Sequence, residues 1–202
     1  MRIYLILIGL IWAGCTTITD SGFTNKAEAK NLTVNGLKEG KWCEYFDFLY
    51  NDTTYKYYRL TAYIGGKPYG IVREFSDKGE LSAEMPYLDG QINGLCKEYS
   101  DNKIIAETPY KNGKIEGVKK IYYTTGVLWE YIPYKNGKQD GVEKDYYENG
   151  KLQHEAPFTN DDIINGVEKL YYEDGKLKVE IPYKNGYEGK PKEYDESGNE
   201  IK

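Results

Sequence analysis

The chain has 202 residues and a formal net charge of −5 from 27 basic and 32 acidic residues, too mild and mixed a balance to suggest nucleic acid as partner. Tyrosine, at 22 copies against five Phe and two Met, is its main apolar residue. A broad apolar ring with a wet hydroxyl suits a thin sheet with half-buried faces better than a thick globular core, and about 200 residues suits one domain or one regular array with a tail.

The N-terminal segment "MRIYLILIGLIWAGC" has one Arg, an apolar run from Ile3 to Ala13, and small residues before Cys15. The run is short of the roughly 20 residues a membrane-spanning helix needs and fits a secretory signal. "WAGC" resembles the lipobox of bacterial lipoproteins, with Trp12 where Leu is usual. The resemblance implies that residues 1–14 are removed as a signal peptide, that Cys15 carries lipid, and that the chain is held at the outer membrane or cell surface. A simple signal peptide and a secreted or periplasmic protein is the other reading. Residues 15–35, "CTTITDSGFTNKAEAKNLTVN", lack the later pattern and read as a flexible, lipid-anchored tether.

From residue 36 to 202 the chain repeats itself. Aligned on one glycine, the units begin at Gly70, Gly94, Gly117, Gly141, Gly166 and Gly189, about 23 to 25 residues apart; that interval signals a repeat array. An irregular unit runs from Gly40 to Gly70, and "GKPKEYDESGNEIK" is a truncated last one. Each unit holds two short runs rich in Tyr and Val and two turns. Asn112-Gly113, Asn136-Gly137, Asn149-Gly150, Asn185-Gly186, Asp89-Gly90 and Asp174-Gly175 mark tight hairpin turns. A hairpin cannot bury a face alone, so stacking should give an all-β fold: one elongated antiparallel sheet of about six hairpin units.

Alternation places three columns of the first run on one face. These are Ile71, Leu95, Val118, Val142 and Val167; Arg73, Lys97, Lys120, Lys144, Lys169 and Lys192; and Phe75, Tyr99, Tyr122, Tyr146, Tyr171 and Tyr194. In the second run a Glu column, Glu84, Glu107, Glu155 and Glu180, should lie opposite the face of Leu81, Ile104, Leu128, Leu152 and Leu177. A two-residue turn at Asn149-Gly150 pairs Glu148 with Lys151 and Lys144 with Glu155, setting a Lys column against a Glu column. A three-residue loop puts Tyr146 opposite Leu152, and the charge columns favour the first register. Prolines 86, 109, 133, 157 and 182 are expected at strand ends or bulges.

The words "Y-Y-x-[ND]-G-K-L-x-x-E-x-P-Y-K-N-G", clearest from Gly117 to Gly189, resemble the variant MORN repeat of bacterial YwqK-type antitoxin-like proteins. The resemblance implies the stacked-hairpin sheet and an interaction role, with no catalytic residue and no cofactor.

The residues alone agree with a non-enzymatic protein. GxSxG, P-loop and HExxH motifs are absent, and a ladder of equivalent Glu offers no pair with separated pKa values. His154, the only histidine, stands in a column with Ala83, Ala106, Glu130 and Val179 and reads as a surface residue. No CxxC or Cys/His spacing suggests a metal, and Cys43 and Cys96 should remain unpaired thiols because they lie in different repeats. The expected function is an envelope-anchored module binding a protein or surface polymer, its candidate surface being Tyr99, Tyr122, Tyr146, Tyr171, Lys97, Lys120, Lys144 and Lys169. An antitoxin or immunity protein that occludes a toxin is one alternative. Anionic lipid or glycan binding through the Lys and Tyr columns is another.

Overall fold

The computed structural model describes residues 20–201. The signal segment and Cys15 lie outside the described residues. The described chain forms an open antiparallel sheet, with one 3-10 turn at Lys26–Glu28. In chain order the strands are β1 (Leu32–Val34), β2 (Leu37–Tyr50), β3 (Thr53–Ile64), β4 (Lys67–Ser76), β5 (Leu81–Leu88), β6 (Gln91–Ile92), β7 (Gly94–Ser100), β8 (Lys103–Lys111), β9 (Lys114–Ile115) and β10 (Gly117–Tyr122). They continue as β11 (Leu128–Lys135), β12 (Lys138–Gln139), β13 (Gly141–Tyr146), β14 (Leu152–Phe158), β15 (Asn165–Tyr171), β16 (Leu177–Lys184), β17 (Tyr187–Glu188), β18 (Lys192–Tyr194) and β19 (Glu200–Ile201). Successive long strands pair antiparallel, so the sheet grows one hairpin at a time. The pairings β5 to β7, β8 to β10, β11 to β13 and β16 to β18 skip the two-residue strands β6, β9, β12 and β17, which pair back on the strand before them.

The turns carry the repeat. At the second turn Asn112 and Gly113 both have positive φ (51° and 77°), and Lys111 faces Lys114. That is the two-residue hairpin turn whose twist matches the strands it joins. In the units from Gly70 onward the first turn is of this kind only at Asp101-Asn102, where Ser100 faces Lys103; in the others it is a three-residue loop. Tyr147 N–H donates to Lys151 O at 2.9 Å, Gly150 N–H donates to Tyr147 O at 2.8 Å, and Gly150 alone takes the left-handed conformation at φ 83°. Tyr147 therefore faces Lys151 across a three-residue loop, in place of the expected pairing of Glu148 with Lys151.

The expected charge register nevertheless survives. Tyr146 pairs with Leu152, the ladder then skips Gln153, and Asp145 pairs with His154 and Lys144 with Glu155. The same skip occurs at Ser82, Ile105, Trp129 and Lys178. One bulge per hairpin thus reconciles the two registers that sequence spacing set against each other. It also corrects the face of the Leu column. Leu152, opposite Tyr146, stands on the Tyr and Lys face together with Glu155.

Proline is neither at the bulge nor at the strand end. Pro109 lies inside β8 paired with Leu95, and on its other side the next strand breaks at Glu116, whose N–H donates to Pro109 O at 3.0 Å. The break falls where Pro has no N–H to offer. The repeat glycine answers the same proline. A Cβ on Gly166 (φ 137°) would sit 2.5 Å from Pro157 Cγ, and one on Gly141 (φ 131°) 2.8 Å from Pro133 Cγ. Only glycine admits both that backbone and that approach.

Residues 20–35, expected as part of a flexible tether, are built into the fold. Phe23 is fully buried against Tyr58 and Leu60, with Cys43 and Phe75 around it. Arg73, 8% exposed at its side chain, bonds Asp20 (Nη2 to Oδ2, 2.6 Å), Glu84 (Nε to Oε1, 3.0 Å) and the carbonyl of Phe23. Lys41 pairs with Glu28, and β1 adds to β2. A single-layer sheet leaves its first hairpin uncovered on one face. The chain folds this segment back to supply the missing layer.

Candidate functional site

The Lys and Tyr columns lie on one face, as alternation requires, and from Lys97 to Tyr171 their side chains are half-buried. Their roles are joined. The hydroxyl of Tyr99 donates to Glu84 at 2.9 Å, Tyr122 to Glu107 at 2.8 Å, Tyr171 to Glu155 at 2.9 Å and Tyr194 to Glu180 at 3.1 Å, each reaching the preceding hairpin. Burial and then the carboxylate beside them push the phenols of Tyr99, Tyr122 and Tyr171 up to about 12. The second Tyr of each pair reaches the other way. Tyr123 donates to Tyr146 O, Tyr147 to Tyr171 O (both 2.7 Å) and Tyr172 to Tyr194 O at 2.8 Å. The Tyr-Tyr dipeptide is therefore a two-way clasp between hairpins. Tyr146 stands apart, because Tyr131 occupies the place the Glu column holds elsewhere.

Tyrosine ownership of the carboxylates changes the charge pairing expected within hairpins. Among the described residues, the ion pairs of the basic column are Arg73 with Glu84 inside its own hairpin and with Asp20, and Lys169 with Glu155 at 3.6 Å across hairpins. Lys97, Lys120 and Lys144 face glutamates in register yet make no such pair.

The opposite face differs from end to end. At the first hairpin β2 and β3 run past β4, and on this face their tip exposes Phe48 (54%), Tyr50 (59%) and Tyr55 (44%), while Tyr45 and Leu49 alternate to the Lys and Tyr face. Phe46 stacks on Tyr57 with ring centres 5.7 Å apart. Phe46, Phe48 and Tyr57 then overhang an open hollow of about 450 Å³ that reaches Met85, Cys96 and Tyr110. Spacing did not single out this surface, since these residues belong to the irregular unit outside the columns. Cys43 and Cys96 are free thiols, as their separation implied, and burial pushes the Cys96 thiol up to about 11.

Farther along that face lies His154, which is not the surface residue its variable column suggested. Its side chain is 21% exposed and bridges two strands, Nδ1 standing 3.1 Å from Asp145 Oδ2 and Nε2 3.0 Å from Glu168 Oε1. The Asp145 bond foremost holds the imidazole above its ordinary pKa. Glu143, bonded by Gln139, joins the group, and its carboxyl is raised chiefly by burial, as is that of Glu130.

Four tandem matches to the MORN repeat variant cover residues 92–112, 115–136, 139–160 and 164–185. No curated protein matches the chain. Among solved structures, the crystal structure of TarM aligns over 46% of this chain and 20% of its own, at 17% identity and a TM-score of 0.33. The chain thus spans a fifth of that protein, and the likeness carries no argument about function.

Proposed function

We propose that this chain, a MORN-repeat protein, works by binding and not by catalysis, as an envelope-held module for an extended protein segment or surface polymer. The supporting observation is the apolar surface at the first hairpin. Phe48 and Tyr50, both more than half exposed, stack on each other beside the aromatic-lined hollow, with Tyr55 opposite Phe48. Contiguous exposed apolar surface of this kind marks interaction sites, and a concave apolar hollow suits an inserted side chain or ring. The stacked rungs beyond it extend the platform, so a long partner gains affinity as it engages more of them. Lipid on Cys15 would hold the module at the bacterial envelope, in accord with the apolar run before "AGC".

A second reading has its own support. Among the described residues, Lys97, Lys120 and Lys144 make no ion pair, and the carboxylates they face, Glu107 and Glu155, accept from Tyr122 and Tyr171. A row of ammonium groups suits an anionic polymer or lipid headgroup. Neutralising a toxin is a further form of the same binding role.

Crosslinking capture from the native envelope with the tagged full chain tests these. We expect Phe48→Ser with Tyr50→Ser to lose the captured partner. Loss only on Lys97, Lys120 and Lys144→Gln would move the site to the other face. Capture unaffected by both sets would overturn the binding surfaces assigned here.

A further inference from the structure

The array breaks its own pattern most sharply around its only histidine. The column of Glu143 holds Val72, Cys96, Lys119 and Glu168 in other units, that of Asp145 holds Glu74, Glu98, Ile121 and Leu170, and that of His154 holds Ala83, Ala106, Glu130 and Val179. Only the unit beginning at Gly141 sets Glu, Asp and His together. One donor atom from each of Glu143, Asp145 and His154 lies within 4.8 Å of the other two. All three side chains are half-buried, and Asp145 Oδ1 is buried without a hydrogen-bond partner.

The geometry points to a divalent transition-metal site of the Zn²⁺ class, with Glu143, Asp145 and His154 as ligands and Glu168 as the group that orients the imidazole. Zinc sits roughly 2.0–2.2 Å from nitrogen and carboxylate oxygen. Two donors 3.1 Å apart, as His154 Nδ1 and Asp145 Oδ2 are, can therefore share one ion. Glu168, 3.0 Å from Nε2, is placed to keep the ring proton on that nitrogen and leave the Nδ1 lone pair for the metal. Metal-bound histidines are held by an outer carboxylate in this way. The ion displaces the proton that Nδ1 otherwise shares with Asp145, and that proton leaves to solvent. It also offsets a local excess of negative charge, since Glu130 adds a further carboxylate beside Asp145. An imidazole donor and only three protein ligands disfavour Ca²⁺, which takes six to eight oxygens, and Mg²⁺, which demands a near-ideal octahedron. The coordination left over is open to water or to a donor from a partner.

The test is metal binding itself, with no partner required. The chelator-stripped full chain is titrated with Zn²⁺ by calorimetry and with Co²⁺ by visible absorption. We expect one ion per chain, Co²⁺ bands characteristic of nitrogen and oxygen ligation, and no competition from Mg²⁺. His154→Asn and Asp145→Asn should each abolish the Co²⁺ bands. Glu168→Gln should weaken binding roughly tenfold to a hundredfold while keeping one ion, and Glu98→Gln, in the same column as Asp145, should change nothing. Circular dichroism identifies variants that keep the sheet. If the wild-type chain takes up no stoichiometric ion, or a folded His154→Asn chain binds as the wild type does, the assignment is wrong.

Discussion

Tyr122 donates its hydroxyl to Glu107 at 2.8 Å, a bond between two neighbouring hairpins that recurs as Tyr99 to Glu84 and Tyr171 to Glu155. Each is charge-assisted and partly shielded, so Tyr122→Phe should cost about 1.5–3 kcal/mol, the range for hydrogen bonds to charged groups. Tyr146 lacks the glutamate, and Tyr146→Phe should stay within about 0.5 kcal/mol of wild type. Urea unfolding of the two variants measures the contrast. Equal losses would mean the hydroxyls do not join the repeats.

The glycine and proline columns form a second joint. Gly166→Ala forces a side chain onto a φ of 137° and places Cβ 2.5 Å from Pro157 Cγ. We expect a loss of about 1–3 kcal/mol from the backbone strain alone. Pro157→Ala in the same chain should recover the part due to the clash. Strictly additive effects in that double-mutant cycle would show that the two residues do not press on each other.

Acid should loosen the N-terminal segment first. The hydrogen bond from Arg73 holds the Asp20 carboxyl below the usual carboxylate range. The stabilisation it gives is therefore present above the unfolded carboxylate value, near 3.9, and disappears as pH falls through the lower, folded value. Asp20 is 43% exposed, so the effect should be at most about 1 kcal/mol. Asp20→Asn should erase it, seen as thermal-melting curves of the two proteins that converge between neutral pH and strong acid. Curves that stay parallel would remove Asp20 from the linkage.

Removing residues 117–140 deletes β10, β11 and β12 as one unit. It joins Glu116 to Gly141 as it was joined to Gly117. Because each hairpin touches mainly its neighbours, we expect a shorter sheet with the same β circular dichroism and a lower unfolding midpoint. Loss of all structure would point to a closed core.

Cys15→Ser should release the protein from the membrane fraction and slow removal of the signal segment, tracked by fractionation and mass spectrometry. Membrane association unchanged, with the Met1 peptide intact, would count against lipidation.

The repeating part of this molecule was legible because its physics is local. An Asn-Gly pair selects a turn from its own dihedral preferences, and side chains alternate along a strand whatever lies beyond it. The second rule places Lys97, Lys120, Lys144 and Lys169 in one row. The first holds at Asn112-Gly113 but not at Asn149-Gly150, where a three-residue loop and the bulge at Gln153 together set Lys144 opposite Glu155. Other features depend on how hairpins meet, and no local rule reports that. Spacing offered two registers as rivals, and the bulge at Gln153 satisfies both. The partner of a Tyr hydroxyl was open until neighbouring strands came within bonding distance, after which Glu107 and Glu155 accept from tyrosines and, among the described residues, Lys97, Lys120 and Lys144 make no ion pair. Residues 20–35 have no periodicity to detect, yet Phe23 and Asp20 are fastened down, because a lone sheet must find a second layer somewhere. His154 looked like an exposed accident of a variable column. Its meaning comes from Asp145 and Glu168 on adjacent strands, a convergence that only the stacked hairpins create.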